Sequence, residues 1–421
     1  MTVKHEITQQ NIHLEIGGKA FDLPFHTVMV CLFAPMLIFD GWALIAADST
    51  MYVSLLAKIN KLYTYFCVAA TAGLFLWRRQ TLVELKSVYL LVPPVAYWLM
   101  YYFNKFDPDL PVNVTSIVVI SLFLLLNRDI QGDLFRVYRK FLIVTSVIAI
   151  VAYALYWLGF DSLFRWVGYY SGNPDEQYVS YGLGFFYWNP YEFRICGHFN
   201  EPGFFGTIVA LILCADDLDL RKIGNWILLI AGCLTMSLAF FVIVLVYFVL
   251  KFLTLAVKKP KLWLVVAAVL LFYFFVLPRI QTGNYTIDTF LQRFVIVDGR
   301  LLGDNRTTDA FDVLYNQFWL SDKQLFGFGD GYLASQDVGH VLIYKVYILE
   351  YGVIGFLLIF GTLILNALIR SGKNLNALYF VAVFALSIYQ RPNVIRLLYF
   401  VLLFGGIVHA NSRKIRKTES I

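Results

Sequence analysis

The sequence predicts an all-α, polytopic membrane protein of about twelve transmembrane helices. Three observations predict it. The 421 residues are 59% hydrophobic and only 15% charged, against about 25% charged in ordinary soluble domains, and the mean hydropathy is +0.68. The apolar residues gather in runs near the length of roughly 20 residues that crosses about 30 Å of hydrocarbon. The basic residues between those runs fall in alternate connections.

The runs lie near 25–46, 60–77, 86–103, 113–127, 141–160, 199–215, 223–237, 238–256, 261–278, 341–369, 375–389 and 396–410. The chain opens on the polar stretch MTVKHEITQQNIHLEIGGK, so no removable signal peptide is expected. The seventh and eighth runs form one apolar block, divided at Thr235, Met236 and Ser237. That division is needed for the charges to alternate. Arg78 and Arg79, then Arg128, Arg136, Arg139 and Lys140, then Arg221 and Lys222 share a side ahead of the block, and the basic residues beyond it fall on that side only if the block holds two spans. Lys251, Lys258, Lys259 and Lys261 join them, as do Arg370, Lys373 and the tail Arg413, Lys414, Arg416 and Lys417. The positive-inside rule then puts both termini in the cytoplasm. The whole chain, 1–421, is expected to be a single integral membrane domain, without internal repeats.

Five scattered cysteines without CxxC spacing imply neither a disulfide framework nor a zinc site. A net charge of +6 reports topology here, and no nucleic-acid partner is implied.

This topology leaves two long connections on the outer side, about 161–198 and 279–340. Long connections in compact proteins are functional or disordered, and these are too aromatic for disorder. Their rings suit sugar faces as well as the membrane interface. The first ends in RICGHFNEPG, residues 194–203. Asn200 can cap the helix that follows, Glu201 suits its positive end, and Pro202 suits its first turn. Arg194 stands just outside. As structure, it would pair with Glu201 or snorkel to headgroups. As chemistry, its guanidinium fork fits phosphate oxygens beside helix amides.

The second connection carries Arg279, Arg293, Arg300 and Arg306 on the side that membrane proteins keep poor in positive charge, which fits an anionic ligand. Thr307 to Leu320 reads as an amphipathic helix along the membrane face. Gly327, Gly329 and Gly331 make a tight turn, and His340 opens the next apolar run. A histidine at a helix start is commonly a cap or interface residue. It can also serve as a general base near neutral pH. Asp107, Pro108 and Asp109 could mimic a metal-binding pair, although such pairs commonly form turns. Arg391 in the short outer connection YQRPNVIR is another candidate cation for an anionic ligand, though it reads foremost as an interface anchor.

Taken in order, Arg194, Gly197 and the Asn200 to Gly203 stretch, then Asn305, Arg306 and Thr307 with the Leu325 to Gly329 turn, then His340 with Glu350, Gly352 and Gly355, resemble the O-antigen polymerase and O-antigen ligase superfamily. Motifs support the resemblance over about 194–356; elsewhere it rests on topology. The chain departs from a described arginine–ten residues–glycine pattern: eleven residues separate Arg194 from Gly206. Arg306 has no glycine at that distance, which keeps Arg300 and Arg293 in reserve.

The resemblance implies a GT-C-like helical bundle in the bacterial inner (cytoplasmic) membrane, with its active site facing the periplasm. It implies a glycosyltransferase whose donor is a glycan on undecaprenyl pyrophosphate, with no cofactor, no nucleotide sugar and no metal. Arg194 and Arg306 would hold the pyrophosphate, Asn200 and Glu201 would support them, and His340 would take the acceptor proton. In the polymerase branch, which the loosely matching motifs favour, the growing glycan moves onto the non-reducing end of another lipid-linked repeat unit. In the ligase branch it moves onto lipid A-core. Further expected partners are membrane lipids and a chain-length-determining co-polymerase. A lipid-linked glycan flippase is the alternative from another class, but its charges would sit deep inside spans. Here only Asp40, Lys345 and Glu350 do so.

Overall fold

The computed structural model describes residues 11–16, 19–41, 50–77, 85–106, 114–169, 177–189, 192–256, 263–264, 268, 271–276, 279–283, 285–297, 300–301, 306–339, 341, 343–392 and 394–419. His340, the Asp107 to Asp109 stretch, Asp175 with Glu176, Arg78 with Arg79, and half of the 261–278 run lie outside the described residues.

The fold is mostly helical. A hairpin of β1 (Asn11–Ile16) and β2 (Lys19–Pro24) leads into α1 (Phe25–Gly41) and α2 (Thr50–Trp77). A 3₁₀ turn (Leu85–Leu91) feeds α3 (Val92–Phe103), and α4 (Val114–Leu125) and α5 (Arg128–Trp157) follow. Asn127 caps α5, its side chain accepting from the Ile130 amide at 2.9 Å. Among the described residues two helices, Arg128–Trp157 and Lys345–Ser371, are long and apolar enough to cross a membrane, and eight shorter apolar helices accompany them.

The connection after α5 is a sheet. Strands β3 (Arg165–Tyr169), β4 (Gln177–Ser180), β5 (Phe185–Asn189) and β6 (Glu192–Gly197) pair antiparallel in chain order. Tyr178, Phe185, Phe186 and Phe193 of this sheet are core material. Phe193 on β6 stacks on Tyr156 of α5 with centroids 4.3 Å apart, and Phe186 of β5 packs beside them. The sheet is thereby fixed to the end of α5, and it delivers the chain to α6 (Pro202–Ala215) at a set position.

Every residue of α6 is buried. It is apolar all round because helices surround it: α7 (Ile223–Leu234), α8 (Leu238–Ala256), α13 (Leu375–Gln390) and α15 (Gly406–Glu419) pack on it, as does β6. The apolar block 223–256 is divided where the sequence divides it, at Thr235 to Ser237, with Met236 at φ +48°.

The second long connection holds α9 (Tyr285–Gln292), a short hairpin of β7 (Ile296–Val297) and β8 (Arg300–Leu301), and α10 (Asp309–Phe318). Thr308 caps α10, accepting from the Phe311 amide at 3.1 Å. Its Phe311 and Phe318 are buried and Val313 is exposed, as the amphipathic reading expects. The next helix begins at Lys345, five residues beyond His340. It runs as α11 (Lys345–Phe356), a π turn (Leu357–Gly361) and α12 (Thr362–Ser371). The chain ends with α13, α14 (Leu397–Phe400), a second π turn (Val401–Gly405) and α15.

Helix α11 is broken at Gly352, whose φ of +70° and ψ of 179° belong to no helix. The glycine turn fills the break. The amides of Phe328 and Gly329 donate to the carbonyls of Leu349 and Glu350, both at 2.9 Å. In return the amides of Val353 and Ile354 donate to the carbonyls of Gln324 and Leu325 at 2.9 and 3.1 Å. Thus the backbone groups freed by the break are satisfied by the turn.

Candidate functional site

Two glutamates organise the end of the bundle that carries the sheet. The first is Glu192, on β6. Strand side chains repeat every second residue, so Glu192 and Arg194 share a face, and Arg194 Nη1 meets Glu192 Oε2 at 2.9 Å. Arg293, just past α9, pairs with the other carboxylate oxygen. The remaining groups of Arg194 turn to backbone. Its Nε donates to the Thr235 carbonyl at 2.7 Å and its Nη2 reaches the Met236 carbonyl at 3.4 Å, where Arg293 Nη1 also reaches at 3.4 Å. Those carbonyls close α7, and helix C-termini leave such groups without intrahelical partners. Burial, and then the neighbouring Arg194, pull the Arg293 pKa below its ordinary value, against the pull of Glu192.

The second is Glu201, at the N-cap of α6. Arg391, just past α13, grips it with both ends of its fork, Nη1 to Oε2 at 2.8 Å and Nη2 to Oε1. Arg306, from the second long connection, reaches Oε1 at 3.4 Å. Gly203 makes the convergence possible. A Cβ there would stand 2.5 Å from Arg391 Nη2, 3.1 Å from Glu201 Oε1 and 3.6 Å from Arg306 Nη2. Burial alone would raise the Glu201 pKa; the charges and hydrogen bonds of Arg391, then Arg306, outweigh it and hold the carboxyl down at about 2. For Arg391, burial opposes the charge and Glu201 more than restores it, so its pKa lies above the ordinary value.

Several expectations change here. Arg194 is paired with Glu192 instead of Glu201. Asn200 is not the cap of α6: the N-cap position is Glu201, which makes no side-chain cap bond, because two arginines occupy its carboxylate. The Asn200 carbonyl instead accepts from the Tyr178 hydroxyl at 2.6 Å. Arg306 joins Glu201, Arg293 joins Glu192, and Arg300 stands in β8 with its side chain outside the described residues. His198, in the same stretch as Arg194, is fully buried against Phe141 and Phe199. Burial pulls its pKa down to about 3, so it stays neutral at physiological pH.

Arg391 is the residue that sequence reasoning undervalued. It is 5% exposed, which no interface anchor would be. The signal in the chain is an arginine close after an apolar run and directly before a proline, where the chain must turn.

A third polar group forms at the glycine turn. Asp330 accepts from the Tyr351 hydroxyl, and Glu350 Oε1 accepts from the Leu333 amide at 3.3 Å. Burial raises the Asp330 pKa. Lys345 reaches Asp312 at 3.4 Å and lies over the Tyr315 ring. Among the described residues no group of three or more His, Cys, Asp or Glu could hold a metal ion.

At the opposite end, Asp216 gathers Arg139, Lys222 and His409, and Asp217 gathers Lys251. Comparison with family models, curated proteins and solved structures finds no match to this chain.

Proposed function

We propose that this protein is a membrane glycosyltransferase that polymerises a surface polysaccharide, moving a glycan from undecaprenyl pyrophosphate onto the non-reducing end of another lipid-linked repeat unit. One observation carries the reading: Glu201, at the start of a wholly buried helix, gathers one arginine from each of two distant connections. Fixed cations at such a point suit a leaving group that departs as pyrophosphate.

In this reaction the bond between the anomeric carbon and the pyrophosphate oxygen breaks, and its electron pair leaves with the pyrophosphate. The acceptor hydroxyl forms the new glycosidic bond and gives its proton to His340 as general base. Arg306 holds the pyrophosphate. Arg194, whose nitrogens are engaged with Glu192 and the end of α7, adds positive field and holds the approach to α6 in place. Arg293 shares that task, and Arg300 is a reserve for the clamp. The bundle would hold twelve spans in the bacterial inner membrane, with both termini cytoplasmic and the arginines on the periplasmic side.

The test is direct. Purified protein is mixed with undecaprenyl-pyrophosphate-linked repeat units in detergent and the products are separated by size. Laddered products are expected from the wild type, and none from His340→Ala expressed at the same level. Normal ladders from that variant would remove His340 from the chemistry. An unchanged lipid-linked unit in the wild type would sink the polymerase reading, and transfer to added lipid A-core alone would replace it with the ligase.

A further inference from the structure

We propose that Glu201 is a built-in placeholder for a phosphate: its carboxylate occupies the forks of Arg391 and Arg306 until a phosphate-class anion displaces it. The inference deepens the reading above and rests on it for the identity of the natural ligand.

The three side chains are unequally buried. The side chain of Arg391 is 6% exposed and that of Arg306 21%, whereas that of Glu201 is 37% exposed. The cations are enclosed and the anion between them has room to leave. Next comes unused capacity. A guanidinium offers five N–H donors, and Arg391 Nε is buried with no hydrogen-bond partner among the described residues. A carboxylate engages two nitrogens of the fork; a phosphate or pyrophosphate brings more oxygens to the same donors. The Arg306 contact, at 3.4 Å, is longer than the roughly 2.7–2.9 Å of a close charge-assisted bond. A larger anion would bring Arg306 into full contact.

Position adds to this. The three groups meet over the first turn of α6, where Gly203 leaves the space that a Cβ would fill. The positive end of the helix dipole favours an anion at that place. The Glu192 group is the contrast within the same molecule. Its carboxylate is 6% exposed, and Arg194 and Arg293 reach on from it to the carbonyls that close α7. That arrangement is a brace with no room for exchange.

Calorimetric titration of the full chain in detergent tests the proposal, with inorganic pyrophosphate and farnesyl pyrophosphate as separate probes. Arg391→Gln should bind pyrophosphate at least about tenfold more weakly, through loss of the bidentate fork. Glu201→Gln should bind it about tenfold more tightly, because the competing charge is gone. Glu201→Asp, which keeps the charge but shortens its reach, should shift binding the same way and covers the case in which the neutral variant fails to fold. Equal weakening in the Glu201 and Arg391 variants would overturn the placeholder and make Glu201 a support for the arginines. Binding of farnesyl pyrophosphate undiminished in Arg391→Gln would overturn it while leaving the lipid-linked donor standing. Binding of pyrophosphate alone, with the expected variant pattern, would uphold the placeholder and remove the lipid-linked donor. A wild type that binds neither probe would overturn both.

Discussion

Each residue of the candidate site is governed by its partner, and partners are what a linear reading finds hardest. Arg306 and Glu201 could be named from their surroundings in the chain, but the meeting of Glu201 with Arg391, 190 positions away, leaves no local mark. Glu192 is within reach of the chain alone: the two-residue period of a strand over 192–197 puts Glu192 and Arg194 on one face. The ionisation of Glu201 yields a prediction at this scale. Its folded pKa of about 2 lies below its ordinary value of 4.5. The stability it contributes is therefore fully present above about 4.5 and is lost as pH falls toward 2. Between pH 5 and 8, melting of the wild type and of Glu201→Gln should depend on pH in parallel. Curves that diverge in that window would mean Glu201 titrates there and is not held by its arginines.

At the scale of elements, helices were legible and strands were not. Apolar runs bounded by charge locate helices directly, and even the break at Thr235 to Ser237 followed from the alternation of basic residues. The four-stranded sheet gave no such signal, because its strands bury residues on both faces. On β6, five of six residues are buried, so the alternation that marks a half-exposed strand never appears. The break in α11 was equally hidden, since Gly352 sits in an apolar run that reads as continuous helix. The break predicts its own test. Gly352→Ala would force a side chain into a conformation that costs about 1–3 kcal/mol. It would also set a Cβ 2.2 Å from the Leu325 carbonyl oxygen. The thermal midpoint in detergent should drop by several degrees. A variant that melts with the wild type would show that the turn and the helix are not joined as described.

For the whole molecule, two ends, each with its own ionic cluster, stand apart. One carries the sheet, the arginine–glutamate groups and the glycine turn; the other carries Asp216 and Asp217 with Arg139, Lys222, Lys251 and His409. The proposed orientation predicts which end meets which compartment. Cys31 and Cys233, the exposed cysteines, would be replaced by alanine and a single cysteine introduced. A membrane-impermeant maleimide should label Lys323→Cys in intact cells with a permeable outer membrane. Arg221→Cys, at the Asp216 end, should react only after the inner membrane is opened. The reverse result would invert the protein and put its arginines in the cytoplasm.

Helix α6 has 14 residues, and at about 1.5 Å per residue it rises about 21 Å. A hydrocarbon layer is about 30 Å thick. A bilayer around this protein cannot have lipid tails level with both tips of that helix and water at both tips as well. In the proposed orientation at least one ionic cluster would lie below the headgroups, shielded by the helices that jacket α6. Lipids with shorter acyl chains would bring that cluster nearer the aqueous phase, and longer ones would bury it deeper, so turnover should follow the thickness of the surrounding leaflet.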